Sequence, residues 1–162
     1  AMTVLRLNLG CGDKMIDHPE WMNIDNRKVA PDSAIFVRHD IRHVRANIAR
    51  DGSVDEIMLS DVLEHFRLDD AKKLLEDCYA MLKPGGKCTI KTPVIHLLVK
   101  WAKTHGEWDT ALRWYGGNDY PGNTHQFCWP EAELIAYLRG IGFKVVNRSY
   151  IEDTNLLVEV VK

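Results

Sequence analysis

Residues 4–9 form a short, largely apolar run that breaks into Gly10-Cys11-Gly12, and a second short run, residues 21–24, ends in an acid, Asp25. An apolar strand closed by a glycine turn and soon followed by another closed by a carboxylate restricts the fold more than any other feature of the chain. Glycine at both turn positions lets the backbone bend sharply and approach a ligand closely. A carboxylate at the tip of the neighbouring strand can accept hydrogen bonds from two ribose hydroxyls. The pattern places a nucleotide-type ligand at the edge of a parallel sheet. The dinucleotide fingerprint G-x-G-x-x-G needs a third glycine where this chain has Met15, so the turn points to an adenosine-containing ligand more than to NAD.

The rest of the chain fits one α/β domain spanning residues 1–162. Apolar runs over residues 4–10, 21–26, 35–40, 54–60 and 87–93 predict strands. A helical stripe over 69–82, formed by Ala71, Leu74, Leu75, Cys78 and Leu82, is expected to stop at Pro84-Gly85-Gly86. A further helix is expected over 131–139, led by Pro130 and closed by Gly140, and a short one over 42–50. Residues 11–20 are too few for a full crossover helix, and Pro19 ends any that starts, so a loop or single turn is expected there. Two last strands, 143–150 and 156–161, are joined too tightly for a parallel crossover and should pair antiparallel. The expected fold is a doubly wound, mostly parallel, seven-stranded Rossmann-like sheet with one antiparallel strand and a reduced first helix.

A charged content of 27% and a formal net charge of −2 give no general attraction to nucleic acid or anionic membrane. The basic stretch from Arg38 to Arg50 lacks interleaved aromatics, so it reads as a solvated face, and nucleic acid is disfavoured as a partner. Cys11, Cys78, Cys88 and Cys128 are scattered, with no C-x-x-C pair, which suits free thiols. With no apolar run of membrane-span length and no leader-type segment, the expected setting is cytoplasmic, without a membrane partner.

The segments L-N-L-G-C-G (7–12), N-I-D (23–25), H-D-I (39–41), V-D-E-I-M-L-S-D-V-L-E-H-F (54–66) and M-L-K-P-G-G-K (81–87) resemble, in order and approximate spacing, the class I S-adenosylmethionine-dependent methyltransferases. The likeness is greatest to small "methyltransferase type 11" relatives of unassigned substrate. The resemblance implies S-adenosylmethionine as cofactor and S-adenosylhomocysteine as its product. It implies that Leu9, Gly10, Cys11 and Gly12 pass under the ligand, that Asp25 and Asn26 meet the ribose, that Asp40 and Ile41 meet the adenine, and that the backbone at Ser60 lines the methionine part. One departure is Lys14, where many members have a third glycine; it is expected to face solvent or the ligand carboxylate.

Competing readings stand beside several of these. Asp25 can be a strand-end acid that starts a turn, and Asp40 can cap the helix that follows it. Asp61, Glu64 and His65, with His125, are the candidates to hold the acceptor or take its proton, yet a histidine beside Phe66 is more often a packed structural one. Residues 94–129 carry Trp101, Trp108, Trp114, Tyr115, Tyr120, Phe127 and Trp129 among several glycines, and form either a substrate lid hinged at Gly116-Gly117 or plain core. As a lid, they would turn Trp114, Tyr115 and His125 toward the acceptor. The histidine spacing makes no recognisable metal pattern, so no metal site is expected.

The activity expected is methyl transfer to an oxygen or nitrogen of a small-molecule or sugar-like acceptor. The alternatives are a binding module without turnover and a nicotinamide-dependent oxidoreductase. A homodimer interface is an alternative place for the acceptor.

Overall fold

The computed structural model describes residues 4–27 and 35–162. Seven strands form one sheet: β1 (Arg6–Leu9), β2 (Trp21–Asp25), β3 (Phe36–Arg38), β4 (Val54–Ser60), β5 (Leu82–Pro93), β6 (Lys144–Ile151) and β7 (Asn155–Val161). Their order is β3-β2-β1-β4-β5-β7-β6. The first five run parallel, and β7 is antiparallel to both β5 and β6. This is the expected sheet with its one reversed strand. The chain builds outward from β1 to β3 and then restarts at β4 on the other side of β1. That reversal opens a crevice at the carboxyl ends of β1 and β4.

The helices are α1 (Val44–Asn47, one turn, preceded by a 3-10 turn at Ile41–His43), α2 (Leu68–Met81), α3 (Ile95–His105), α4 (Glu107–Tyr115) and α5 (Glu131–Ile141). Helix α2 buries Ala71, Leu74, Leu75, Cys78 and Met81. These stack every third or fourth residue, so a single stripe faces the sheet. Buried Asp77 on the same helix is held by Arg45 at 3.0 Å and Lys73 at 2.9 Å. Helix α2 ends earlier than Pro84 would require: Leu82 is already extended, with ψ 139°. Lys83 to Gly86 bulge out between the Val54–Leu82 and Glu56–Lys87 pairs, so the Pro-Gly-Gly sequence makes a turn within β5. Helix α5 runs through Gly140 and is closed instead by Gly142, whose φ is 121°.

The largest departure from expectation is α3 and α4. Residues 95–115 form two helices joined at Gly106, with only 116–128 irregular. The segment leaves the sheet at buried Val94 and returns at buried Trp129, where these two residues form a parallel bridge.

No helix follows β1. Residues 11–20 cross to β2 as a loop, and buried Asn8 and Asn23 hold it. The Asn8 side-chain amide donates to the Lys14 carbonyl and to Asn23 Oδ1, both at 2.9 Å. Asn23 Oδ1 also accepts the Ile16 N–H at 2.8 Å, while its amide nitrogen donates to the carbonyls of Ile16 and Ile35. One buried side chain therefore serves four polar groups, and of these the Ile16 N–H and carbonyl have no other partner among the described residues; leaving such a group unpaired costs about 1–3 kcal/mol when it is buried. All four cysteines are free thiols. Among the described residues no helix is long and apolar enough to cross a membrane.

Replacing Asn23 with Ala should lower the unfolding free energy by at least about 2 kcal/mol in urea titration, because several buried partners lose their bonds at once. A loss under about 0.5 kcal/mol would mean that water reaches the loop and takes over those bonds.

Candidate functional site

At the end of β1 the backbone turns through Gly10 at φ 66° and Gly12 at φ 50°. A Cβ on Gly10 would sit 2.9 Å from Val62 Cγ2, so this position excludes side chains on both conformation and space. The Gly12 N–H donates to Asp25 Oδ2 and the Arg27 N–H to Asp25 Oδ1, both at 2.9 Å. Asp25 thus ties the glycine turn to the tip of β2, which joins the two sequence features in one place. The Arg27 side chain lies close above Gly12, pairs with Asp25 at 3.5 Å and stacks 5.3 Å from the Tyr120 ring centroid. Cys11 is buried beneath the turn, and burial, then the Asp25 charge, push its thiol up to about 11.

Two cavities open here, of about 260 and 360 Å³. They share Gly10, Arg27, Asp61, His65 and Tyr120 and so form one cleft. Asp25, Asn26, Asp40, Ile41, Val62 and Phe66 line the first part. Gly12, Lys14, Ser60, Glu64 and His125 are among those lining the second. Leu9 is fully buried in the core and lines neither. Asp40 does what the capping alternative requires: it accepts the Arg42 N–H at 3.0 Å and the Arg42 guanidinium at 2.6 Å. That hydrogen bonding holds its carboxyl below the usual carboxylate range. It still borders the cavity beside buried Ile41.

The second part is built on a charged knot. Asp61 adopts φ 57° and pairs with Lys91 at 2.8 Å and Lys14 at 3.1 Å. Lys91 is 6% exposed and also binds Glu152 at 2.8 Å. Burial works against its charge, but the hydrogen bonds to Asp61 and Glu152 outweigh it and hold its pKa above that of an ordinary lysine. Lys14 itself is largely exposed.

Glu64 lies beneath this surface, 2% exposed, with its Oε2 accepting the Thr92 hydroxyl at 3.0 Å. Burial, then the nearby Asp61 charge, push its carboxyl up to about 8. The Glu64 carbonyl accepts the N–H groups of Gln126 and Phe127 at 2.6 and 3.3 Å. These bonds draw residues 125–127 onto the turn at Leu63–His65 and set the His125 and His65 rings edge to face at 4.9 Å. Burial holds both imidazoles below the ordinary histidine value, so they are neutral near pH 7.

The other aromatics divide. Trp129 is 2% exposed and packs in the core with Phe127 against it. Trp101 stacks on His105 and lies 4.0 Å under the Arg113 guanidinium. Trp108 and Tyr115 are 79% and 62% exposed. Neither Trp114 nor Tyr115 lines the cleft; Tyr120 and His125 do. The lid expectation therefore narrows to 116–128. Sequence reasoning missed Arg27, Lys91, Thr92 and Glu152 as parts of the site. Arg27 carried a signal, standing two residues past the strand-end acid, whereas the other three meet only through sheet pairing.

Residues 10–148 match the methyltransferase domain family. A probable S-adenosylmethionine-dependent methyltransferase of Mycolicibacterium smegmatis is 36% identical over 129 residues, which cover 76% of this chain and 42% of the relative. The chain thus spans less than half the length of that relative. Among solved structures, a methyltransferase from Archaeoglobus fulgidus superposes with a TM-score of 0.67 at 14% identity, covering 99% of this chain and 87% of the other. The 1,6-didemethyltoxoflavin-N1-methyltransferase of Burkholderia thailandensis, solved with bound 1,6-didemethyltoxoflavin and S-adenosylhomocysteine, gives 0.65 at 15% identity, covering 98% of this chain and 70% of the other. At these identities the structural likeness speaks for the fold.

Asp40→Ala should lower stability by about 1 kcal/mol through loss of the cap, with Asp40→Asn losing less. If the side chain also reads a purine amino group, S-adenosylhomocysteine affinity will fall beyond that stability change in the Ala variant. Equal affinity in calorimetry for both variants would leave Asp40 a cap alone.

Proposed function

The chain belongs to the class I S-adenosylmethionine-dependent methyltransferase family, and on that premise we propose that it transfers a methyl group to an oxygen or nitrogen of a small-molecule acceptor. The observation that carries this reading is the joining of the glycine turn to Asp25 at the β1/β4 crevice, in a cleft that continues to the neutral His65–His125 pair.

The residues present fit the cofactor. Gly10 cannot carry a Cβ against Val62. Asp25 uses each oxygen for one backbone N–H, which leaves acceptor capacity for ribose hydroxyls. Ile41, Val62 and Phe66 supply apolar walls suited to a flat base. The Arg27 charge is paired with Asp25, which limits repulsion toward a cationic ligand. When bound, S-adenosylmethionine supplies a methyl group on a sulfonium, which is already a strong electrophile.

What remains for the protein is alignment and exclusion of water. Asp61, His65 and His125 border the second part of the cleft, where an acceptor would sit. The imidazoles present lone pairs there instead of positive charges, so either can take a hydrogen bond or a proton from an acceptor hydroxyl. Lys91 orients Asp61 through their ion pair and does not itself line the cleft. The modest cleft volume and the absence of a basic excess favour a small acceptor over a nucleic acid.

Calorimetry should show binding of S-adenosylmethionine and S-adenosylhomocysteine and none of NAD. Asp25→Ala should weaken S-adenosylhomocysteine by roughly 1–3 kcal/mol, since an ionised acceptor is lost. Unchanged affinity would remove Asp25 from the site, and failure of both cofactors to bind would remove the reading itself.

Hydrogen exchange offers a separate check on the narrowed lid. Amides in 116–128 should exchange faster than those of β4 and slow when S-adenosylhomocysteine is added. Equal protection with and without it would make that segment a fixed wall.

A further inference from the structure

Glu64, His65 and His125 are brought together by the fold in a way that methyl transfer alone does not require. Each offers a donor atom, and the three donors lie within 4.8 Å of one another. His65 Nδ1 is sealed from solvent and has no hydrogen-bond partner among the described residues. Glu64 is 2% exposed, and its side chain receives one hydrogen bond, from Thr92, on one oxygen. An unpaired buried nitrogen costs about 1–3 kcal/mol, and a ligand that takes up the His65 Nδ1 lone pair would offset that cost.

We propose that Glu64, His65 and His125 form a binding site for a divalent transition cation at the acceptor end of the cleft, with open coordination positions facing the acceptor.

Two imidazole nitrogens and one carboxylate oxygen suit zinc, cobalt, nickel or iron(II); magnesium and calcium prefer oxygen throughout. Ligand bonds of about 2.0–2.2 Å require donors roughly 3.4 Å apart in tetrahedral geometry, so the widest pair closes by at most roughly 1.4 Å on loading. Side-chain rotation can supply that. The surrounding groups suit the role. The Thr92 hydroxyl orients the Glu64 carboxylate. Cations around the cleft are already paired, Arg27 with Asp25, Lys14 with Asp61, and Lys91 with Asp61 and Glu152.

Three protein ligands leave room for an outside oxygen, and a cation acidifies a hydroxyl bound to it. The acceptor class this favours carries a hydroxyl or an adjacent pair of oxygens able to reach the ion. That last step rests on the methyl-transfer reading; ion binding does not.

The test is titration of the purified chain with cobalt(II), followed by visible absorption and by metal analysis after dialysis. One ion per chain is expected, with bands stronger than those of the hydrated ion. His125→Ala and Glu64→Gln should each weaken binding at least about tenfold, and His65→Gln serves as a third variant should either unfold, as judged by cooperative melting. His105→Ala, on exposed α3, should bind like the parent. No bands, or equal binding by all variants, overturns the site. S-adenosylhomocysteine calorimetry on the same samples separates the two ideas. Cofactor binding without cobalt binding removes the ion site alone, and cobalt binding without cofactor binding keeps the ion site and removes the methyl-transfer reading.

Discussion

The glycine-turn end of the cleft depends on a pair of buried amides. Where a crossover helix would satisfy its own backbone, residues 11–20 have no such means, and their polar groups need partners inside the protein. Asn8 and Asn23 face each other in the β1/β2 register and supply those partners at Lys14 and Ile16. Gly10 follows Asn8 by two residues and Asp25 follows Asn23 by two, so Asp25 extends from the same face of β2 as Asn23. The loop, the glycine turn and the acid are therefore positioned from one origin. A slip of β2 by a single residue would turn Asn23 and Asp25 away together.

A second fixed point holds the other half of the crevice. A non-glycine residue at φ 57° costs of order 1–3 kcal/mol, and Asp61 carries that strain at the end of β4. Its N–H is taken by the Lys91 carbonyl at 2.9 Å and its carboxylate by Lys91 and Lys14. A buried ion pair gains little net stability after desolvation, so the knot contributes mainly geometry. It fixes where the chain leaves β4, and hence where the turn at Leu63–His65 begins. Lys91 reaches across to Glu152 as well, which ties this exit to the β6–β7 hairpin.

The two ends of the cleft were not equally readable. Gly10, Gly12 and Asp25 announce themselves because turn chemistry is local and the pairing acid follows one strand later. Glu64, His65 and His125 meet only because two distant N–H groups bond to the Glu64 carbonyl, and no spacing discloses that. Helices α3 and α4 were legible in principle. Gly106 and Gly116 hold φ of 82° and 80° where α3 and α4 end, the usual place for a closing glycine, but among so many aromatics they read as loop hinges. The choice between Gly140 and Gly142 was not legible locally. It is decided by tertiary packing, because Gly142 runs hard against Tyr79, where a Cβ would lie 2.7 Å from the hydroxyl.

This difference has a structural basis. The glycine-turn end is made of strand tips, backbone N–H groups and one acid, all anchored in the sheet. The other end combines Asp61, Glu64 and His65, which follow β4, with His125 from an excursion that leaves at Val94 and returns at Trp129. Both ends of that excursion are clamped by the Val94–Trp129 bridge, the Ile95 N–H to Trp129 carbonyl bond and the burial of both residues. A segment whose ends are fixed side by side can change length or sequence at small entropic cost to the rest, since closure depends only weakly on loop length. Substitutions in 116–128 can therefore reshape what the cleft accepts while the sheet, the glycine turn and Asp25 stay in place. The counterweight is the bonding of Gln126 and Phe127 to the Glu64 carbonyl, which ties the variable segment to the fixed turn and keeps His125 beside His65. Within 116–128, the residues that dock on the Glu64 carbonyl are thus the fixed points of the segment.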